Sequence, residues 1–358
     1  MSFATTLLEW FSENGRDLPW RQTRDPYAIW LSEIILQQTQ VRQGWDYWER
    51  FMRRWPTVDA LAAATEDEVL REWQGLGYYS RARNLHYAAR QIVALGHFPD
   101  TLEEIKRLKG VGDYTAAAIG SIAFGLPAAV VDGNVYRVLA RHFGIDTPIN
   151  TTVGKKLFQS LAQSLLPIGN SQFFARPEGV LATERDARIL NSQLPQVAAY
   201  NQAIMDFGAI QCTPQSPHCP SCPLLESCSA FREGRVGEIP AKQKTLKVRE
   251  RHLIYIYIRC NGMTAIHRRG PGDIWQGLYE PWLVSSPSDV PSGAVLQRQN
   301  VRHVLTHRIL LADFYLWEAG EKPSLPPDYI WIPETELGSY AVPRLIEKFL
   351  SSLFQIGL

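Results

Sequence analysis

Four cysteines between positions 212 and 228 constrain the fold of this chain more than any other feature of its sequence. Cys212, Cys219, Cys222 and Cys228 follow the spacing C-x6-C-x2-C-x5-C, and a proline stands directly after each of the two central cysteines. In a reducing compartment, such a cluster is more typical of a metal site than of two disulfides. Four thiolates suit either zinc or a 4Fe-4S cluster, and the ligand chemistry alone does not separate the two. We therefore expect a metal-bound loop here.

Two regions of the sequence differ in character. Residues 1–231 carry apolar residues at helical spacing between turn residues, and the pairs Thr65 with Glu68 and Thr101 with Glu104 predict capping boxes at two helix starts. Residues 232–250 are polar and basic and contain glycine and proline, which indicates a linker. We therefore place a mainly α region at 1–231 and a second domain at 251–358.

The second domain is predicted to be α+β. Its segments LIYIYIRC, MTAIHRR, ILLADFYLW and DYIWIP are short and rich in β-branched and aromatic residues, as strands are. The final VPRLIEKFLSSLF has apolar residues at helical spacing, so we expect it to form an amphipathic helix. Within the first region, residues 170–196 are polar and weakly periodic, and we interpret them as a loop or insertion.

Size and charge limit the class of protein. A chain of 358 residues with 45% hydrophobic content can bury more than one core, so two or three domains are expected. No basic leader with an apolar stretch stands at the start and no run of about 18 apolar residues follows, which predicts a soluble, intracellular protein. Because the net charge is only +1, any phosphate binding must be local.

A candidate phosphate site is the sequence LKGVGDYT, which begins at Leu108. Gly110 and Gly112 let the backbone approach a ligand closely, and a helix that begins near Asp113 would point unpaired N–H groups and a positive dipole at it. The alternative is a tight turn that only joins two packed helices. Phosphate is favoured because a chain with a net charge of only +1 would need backbone donors to replace part of what Lys and Arg otherwise supply at a phosphate site.

Two acidic residues are candidates for catalysis. Asp132 ends the apolar run PAAVV before a predicted helix, so it is either a simple N-cap or a carboxylate whose pKa the helix N-terminus lowers. Glu33 lies on a helix that Asp25 caps and Pro26 starts, on the same face as apolar side chains. It either extends to water or is buried with a raised pKa. Together they form a candidate acid and anion pair for protonating a leaving group and stabilising a cation.

These features together resemble the helix-hairpin-helix DNA glycosylases that carry a 4Fe-4S cluster and, within them, the MutY-type adenine DNA glycosylases. The resemblance covers most of residues 16–231 and, more loosely, the C-terminal domain. It rests on the cysteine spacing and on the motifs LPWR, WLSEIILQQTQV, GLGYYSRARNLH, LKGVGDYTAAAI, VDGNVYRVLAR and YNQAIMDFGA. It implies a helix-hairpin-helix lobe at about 26–132, an iron-sulfur cluster lobe formed by 1–25 with 133–231, and a Nudix-like recognition domain.

The resemblance also implies the reaction and the residues that perform it. Glu33 looks like the acid that protonates adenine N7, and Asp132 looks like the carboxylate that stabilises the oxocarbenium or a transient adduct at the sugar. Tyr114 and Asn134 match residues that support this chemistry. A base inside the duplex is shielded, so the adenine must be flipped out. The residues that match the pocket for the flipped adenine are Arg16, Leu18, Trp20, Arg21, Leu36, Val41 and Gln202.

Further matches concern the base opposite the adenine. Gln38 and Tyr78 match residues that wedge into the duplex beside 8-oxoguanine. The Nudix-like domain has no R-E-x-x-E-E run, so we expect it to recognise the oxidised guanine rather than to hydrolyse nucleotides. Where the family has a Phe-Ser-His loop, this chain has Leu305, Thr306 and His307, which keeps a hydroxyl and loses the aromatic ring.

The resemblance predicts a monofunctional enzyme of base excision repair. Relatives with strong strand-nicking activity have a lysine where this chain has Tyr114, and a tyrosine cannot form their Schiff base. The expected partner is duplex DNA with an A:8-oxoguanine or A:G mispair, and the expected cofactor is a 4Fe-4S cluster. We expect a monomer in a bacterial cytoplasm, associated with the nucleoid. The alternatives are an endonuclease III-like glycosylase and lyase, and a DNA-binding clamp without catalysis.

Overall fold

The computed structural model describes residues 2–167, 195–243 and 249–354. The chain divides into two compact units, one formed by residues 1–40 with 91–244 and the other by residues 41–90 with 245–358. The domain boundaries drawn from the sequence stay a prediction. Residues 170–194 of the predicted insertion and 244–248 of the predicted linker lie outside the described residues.

The helices for which the sequence predicts a start at Asp25, Thr65, Thr101, Asp113 or Asp132 begin there. In chain order the helices are α1 (Phe3–Asn14), α2 (Pro26–Leu36), α3 (Val41–Arg54), α4 (Val58–Ala63), α5 (Glu66–Glu72), α6 (Ser80–Leu95), α7 (Leu102–Arg107), α8 (Asp113–Phe124), α9 (Gly133–Phe143), α10 (Thr152–Ser164), α11 (Gln196–Asp206), α12 (Ser229–Arg232) and α13 (Arg344–Phe354). The full capping box forms at α5, whereas at α7 the Glu104 carboxylate accepts from the Thr101 hydroxyl instead. As predicted, the described residues before 232 contain no strand. None of the helices in the described part of the chain is long and apolar enough to cross a membrane.

The first unit has its core between α1, α2, α8, α9 and α11. Leu7, Trp30 and Tyr200 from these helices are almost fully buried. Burial of a side chain of this kind stabilises the fold by roughly 1.5–3 kcal/mol. Because three of these helices also carry the candidate catalytic residues, the same core fixes the positions of their side chains.

The second unit combines α3, α4 and α5 with two sheets. The strands are β1 (Arg249–Arg259), β2 (Met263–Arg268), β3 (Tyr279–Glu280), β4 (Trp282–Val284), β5 (Val295–Val304), β6 (Arg308–Glu318) and β7 (Tyr329–Pro333). One sheet has the order β4-β1-β6-β5, with β1 and β6 parallel, and the other is antiparallel with the order β3-β2-β7. The α13 helix packs on the first sheet, where Phe349 stacks on Phe314 with ring centroids 4.3 Å apart. The predicted α+β architecture is confirmed, and β5 is a strand that the sequence did not predict.

Candidate active site and four-cysteine loop

Glu33 lies inside α2 and is almost fully buried. The helix begins where the sequence predicts, because the Asp25 carboxylate accepts a hydrogen bond from the Tyr27 N–H at 3.0 Å and Pro26 occupies the first turn. The Glu33 side chain accepts a hydrogen bond from the Tyr114 hydroxyl at 3.0 Å. Burial raises the pKa of Glu33 to about 7. The expectation of a buried glutamate with a raised pKa is confirmed, and this carboxyl can hold a proton near neutral pH.

Asp132 is the N-cap of α9. Its Oδ1 accepts from the backbone N–H groups of Asn134 and Val135, and its Oδ2 accepts from the side-chain amide of Asn134, each at 2.8 Å. We predicted that the helix N-terminus would lower the pKa of Asp132. That direction is wrong, because burial raises this pKa by more than the three donors lower it. All three donors nevertheless bind the ionised form of the carboxylate.

The two carboxyl groups interact electrostatically. Burial is the main cause of the raised pKa of Glu33, to which the charge of Asp132 adds, while the Tyr114 hydroxyl and the charge of Arg21 oppose it. Burial and both carboxyl groups also raise the pKa of Tyr114, so its hydroxyl keeps the proton that it donates to Glu33. Ionising two neighbouring buried carboxyl groups at once is unfavourable. The three donors around Asp132 stabilise its ionised form, so the negative charge is expected on Asp132 and the proton on Glu33. The arrangement fits a neutral acid beside a carboxylate.

Polar side chains from two helices hold Asp132 in place. Buried Asn201 of α11 accepts a hydrogen bond from the Val130 N–H at 3.2 Å, which fixes the chain just before the N-cap. On the other side, the Asn134 side chain accepts from Arg137 at 2.8 Å. Sequence reasoning identified Asn134 and missed both Asn201 and Arg137. Their only sequence signal is a polar residue on a helix face that is otherwise apolar.

Asp206 is a fully buried acid that sequence reasoning also missed. Its carboxylate accepts hydrogen bonds from Nε of Arg16 at 2.8 Å and from both terminal nitrogens of Arg21 at 2.7 and 2.8 Å. Both arginines were predicted to form the adenine pocket, and the structure pairs them with this acid. Burial alone would raise the pKa of Asp206, but the two arginines lower it overall. The sequence signal for Asp206 is that it is the one charged residue of α11, four residues after Gln202.

Asp206→Asn is expected to lower the free energy of unfolding by about 1.5–3 kcal/mol, because two arginines lose a charged acceptor. Since the pKa of Asp206 is lowered in the folded protein, its contribution is present at neutral pH and is lost as the pH falls below about 4. Urea unfolding at pH 7 and at pH 3 measures both effects. Asp17→Asn, at an exposed position, is the control. Equal stability of the Asp206 variant and its parent at pH 7 would contradict this role.

The predicted adenine pocket includes a buried hydrogen-bond donor, the side-chain amide of Gln202. Gln202 on α11 is 2% exposed, and its Nε2 has no hydrogen-bond partner among the described residues. Buried amides are normally satisfied, so this group is suited to receive a ligand. Leu18 and Trp20, two positions apart, are both buried. Leu36 is half-buried at the end of α2, and Val41 begins α3 in the second unit.

Gln38 and Tyr78, the predicted wedge residues, both have a left-handed backbone conformation. Their φ angles are +56° and +46°, which bulky residues rarely adopt. Both side chains are exposed. Strain of this kind persists where the surroundings enforce it and is concentrated at functional positions. The backbone geometry is therefore consistent with two side chains that are presented to a ligand.

The recognition turn, residues 305–307, connects β5 to β6. Thr306 and His307 are both exposed there. The Thr306 hydroxyl lies 2.7 Å from the Tyr78 hydroxyl, within hydrogen-bond distance. The second unit thus brings together one predicted wedge residue and the turn predicted to inspect the opposite base.

The Gly-Val-Gly turn stands between α7 and α8, as predicted. Gly110 has a φ of +81°, so the turn favours glycine at this position. Gly112 is the N-cap of α8, and no side chain supplies a capping hydrogen bond there. The N-terminal N–H groups of α8 therefore have no side-chain cap at Gly112, which suits the predicted phosphate contact.

The four cysteines line one cavity in the segment that follows α11. All four are half-buried. Two arginines of α9 contact this loop: Arg141 donates to Sγ of Cys212 at 3.4 Å, and Arg137 donates to the Cys212 carbonyl at 2.7 Å. Since Arg137 also donates to Asn134, which binds the N-cap Asp132, α9 connects the cysteine loop to the candidate catalytic carboxylate.

Known proteins share both the helical and the α+β region of this chain. Residues 31–163 match a family model described as HhH-GPD superfamily base excision DNA repair protein, and residues 254–352 match that of the NUDIX domain. The adenine DNA glycosylase of Mus musculus is 41% identical over 252 residues, which cover 67% of this chain and 44% of the mouse protein. The chain therefore spans less than half the length of that relative.

Two further comparisons cover most of the matched protein. The adenine DNA glycosylase of Buchnera aphidicola subsp. Baizongia pistaciae is 32% identical over 286 residues, which cover 77% of this chain and 72% of that protein. The structure of a thermostable thymine-DNA glycosylase matches 64% of this chain and 95% of its own, with 29% identity and a TM-score of 0.53. With the helical region, the Nudix-like region and the motifs around both carboxyl groups in agreement, the chain belongs to the adenine DNA glycosylase family.

Proposed function

We propose that the protein removes adenine from mispairs in duplex DNA by hydrolysing the N-glycosidic bond, as a step of base excision repair. The observation that carries this proposal is the pair formed by Glu33, whose pKa is about 7, and Asp132, which accepts from three N–H donors. Leaving-group protonation with cation stabilisation requires a neutral acid and a carboxylate of this kind. The family supplies adenine as the base.

In the proposed reaction, the bond from C1′ of the sugar to N9 breaks and its electron pair stays on the base. Glu33 donates its proton to N7, so adenine leaves neutral, and Asp132 stabilises the positive charge left on the sugar. A water molecule then adds to C1′, and the proton that it loses restores the acid form of Glu33, which leaves an abasic site. The hydrogen bond from Tyr114 orients Glu33. The buried Nε2 of Gln202, which has no partner in the described part of the chain, is suited to hold the flipped base.

We infer that the second unit reads the base opposite the adenine. Guanine and 8-oxoguanine differ at the oxygen on C8 and at N7, which carries a hydrogen only in the oxidised base. Hydroxyl groups can both donate and accept, so they can bind each of these positions. The hydroxyl pair of Tyr78 and Thr306 beside the exposed His307 supports this role. The proposed substrates are therefore A:8-oxoguanine and A:G mispairs.

Duplexes with adenine opposite 8-oxoguanine, guanine or thymine test the proposed activity. Each reaction is divided, and one half is treated with alkali, which breaks the strand at an abasic site. Cleavage of the two mispaired duplexes only after alkali is the expected result, since Tyr114 cannot form a Schiff base. Cleavage without alkali would favour the endonuclease III-like lyase. No cleavage in either half would favour the non-catalytic clamp, and either outcome would overturn the proposal.

We also propose that the four cysteines hold a 4Fe-4S cluster with a structural role. Four thiolates are the usual ligands of such a cluster, which binds one cysteine at each iron. The four cysteines line one cavity, so their thiols surround the space that a metal group would occupy. The spacing C-x6-C-x2-C-x5-C, which resembles that of the iron-sulfur glycosylases, favours the cluster over zinc.

The purified protein is expected to contain about four iron atoms per chain and to absorb visible light. Cys222→Ser is expected to lower the iron content and the stability, because one ligand to the cluster is lost. Cys260→Ser is the matched control, since Cys260 is buried in the second unit and is not among the residues that line the cavity. Zinc without iron, and without visible absorbance, would contradict the cluster.

We further propose that the protein acts as a monomer on chromosomal DNA in the cytoplasm. The proposed active site draws its residues from one chain, so a second copy is not needed for the reaction. Sedimentation of the free protein and of its complex with a short duplex is expected to give one chain in each. A stable dimer in both states would contradict the monomer.

A further inference from the structure

A cavity of about 1000 Å³ in the second unit contains groups that the proposed reaction does not use. Its walls include Tyr78 and the recognition turn, together with Trp275 and Arg302. Arg302 is exposed, and within the described ranges its side chain has neither an ion pair nor a hydrogen bond. Aromatic rings combined with unpaired cations are typical of surfaces that bind unstacked nucleotides. The cavity therefore has the chemistry of a nucleotide-binding surface.

Trp275 has a strained backbone. Its φ is +61°, in the left-handed region that a bulky residue rarely enters. The Trp275 carbonyl accepts a hydrogen bond from the Leu278 N–H at 3.0 Å, which closes the turn around it. The indole is half-buried, with the guanidinium of Arg269 at 5.9 Å from the ring centroid. Strain that is retained at a cavity wall points to a functional demand on the side chain.

The loop that presents Trp275 is fixed on both sides. Before it, the Asp273 carboxylate accepts hydrogen bonds from Arg251 and Arg269 at 2.6 to 2.8 Å. After it, the carbonyl of Gln276 accepts a hydrogen bond from the Arg83 guanidinium at 2.6 Å. A ring held in this way needs little ordering when a ligand binds, and such pre-organisation lowers the entropic cost of binding.

We propose that Trp275 stacks on an unstacked nucleotide of the DNA strand opposite the target adenine, and that Arg302 binds a phosphate of that strand. The inference rests on the proposed function, which supplies the DNA. The strand follows from the cavity walls, because Tyr78 and Thr306, the proposed readers of the opposite purine, line the same space. Stacking tolerates any base, so Trp275 adds affinity for both mispairs, whereas Thr306 adds discrimination between them.

Equilibrium binding separates these roles. The variants are made in the Glu33→Gln background, which keeps the DNA intact, and their affinities for A:8-oxoguanine and A:G duplexes are measured by fluorescence anisotropy. Trp275→Leu is expected to weaken both complexes by the same factor, between about 5- and 150-fold, and Trp275→Phe is expected to retain most of the affinity. Thr306→Ala is expected to change the ratio of the two affinities.

Trp331→Leu is the matched control for binding. Trp331 is also half-buried and also has a cation, Lys322, over its ring, but it does not line the cavity.

Thermal unfolding of two further variants tests the backbone strain of the loop at Trp275. Trp275→Gly is expected to unfold at a higher temperature than Trp275→Ala, the reverse of the usual order, because glycine relieves the left-handed strain.

Crosslinking tests the choice of strand without any substitution at Trp275. The protein used carries only Glu33→Gln, so the DNA stays intact. Duplexes carry 5-iododeoxyuridine beside the purine or beside the adenine, and crosslinked peptides are identified by mass spectrometry. A crosslink to Trp275 from the purine strand is expected, and a crosslink only from the adenine strand would overturn the inference. Equal affinity of Trp275→Leu and its parent, or weakening for one mispair alone, would also overturn it. Failure of the wild-type protein to release adenine would instead overturn the proposed function.

Discussion

Glu33→Gln is expected to lower the single-turnover rate of adenine release by about 10²- to 10⁴-fold, the range that general acid catalysis contributes. Glutamine has the same shape, and its amide oxygen can still accept the hydrogen bond that Tyr114 donates at 3.0 Å. It cannot transfer a proton to the base, so the leaving group must depart as an anion. Affinity for the mispaired duplex is expected to stay close to that of the parent, since the substitution is nearly isosteric.

Rapid quenching of single-turnover reactions, with product revealed by alkali, measures this rate. Glu13→Gln is the control, because it makes the same chemical change at an exposed glutamate of the first unit. A variant that folds, binds the duplex and keeps most of the parental rate would remove Glu33 from the acid role. A variant that loses binding as well would show that Glu33 acts on substrate capture.

The pH dependence gives the same hypothesis a second test. Burial raises the pKa of Glu33 to about 7, so the carboxyl is protonated and active as an acid below this pH. As the pH rises through about 7, the proton is lost and kcat/KM is expected to fall about tenfold per pH unit. The residual kcat/KM of Glu33→Gln is expected to show no such decrease near pH 7. A parental profile that stays flat from pH 6 to pH 9 would contradict an acid with this pKa.

Local signals allowed much of the helical region to be predicted from the sequence. Asp25 and Pro26 mark the start of α2, and the pair Thr65 with Glu68 marks the start of α5. These signals are reliable because the unpaired N–H groups of a helix start need an acceptor close by in the chain. The apolar neighbours of Glu33 at helical spacing left two alternatives open, extension to water and burial, and the structure shows burial.

The strand β5 could not be predicted, because it lies at the edge of its sheet. Its sequence VLQRQNVRHV is mostly exposed and polar, with register shifts near Arg298 and Val301, so it lacks the apolar alternation that reveals a half-buried strand. Edge strands commonly carry charges and bulges of this kind, which discourage pairing with another chain. The tertiary partner β6, not local sequence, determines its conformation.

The parts of the candidate site that the sequence did not reveal depend on contacts between distant residues. Asp206 meets Arg16 and Arg21 across 190 and 185 positions, a separation at which no local pattern operates. The pKa of Asp132 was predicted in the wrong direction for a related reason. Its helix N-terminus is visible in the sequence, whereas the burial that outweighs it comes from the packing of the whole unit.

Asp132→Asn is expected to lower the rate of adenine release by about 10²- to 10³-fold, the usual effect of removing one electrostatic contact to a transition state. Asparagine can still accept from the backbone N–H groups of Asn134 and Val135, so it continues to cap α9. It carries no charge to stabilise the cation that forms at the sugar. The side-chain amide of Asn134 loses its acceptor, however, so the free energy of unfolding is expected to fall by about 1–3 kcal/mol.

Asp25→Asn is the matched control, because Asp25 is also an aspartate N-cap of the first unit and caps the helix that carries Glu33. If capping alone mattered, the two variants would lose similar amounts of activity. If charge at the sugar matters, Asp132→Asn loses its rate and Asp25→Asn does not. Asp132→Ser, which also caps the helix without a charge, is then expected to lose its rate too. If a folded Asp132→Asn variant keeps a rate within tenfold of the parent, Asp132 is not the group that stabilises the sugar cation.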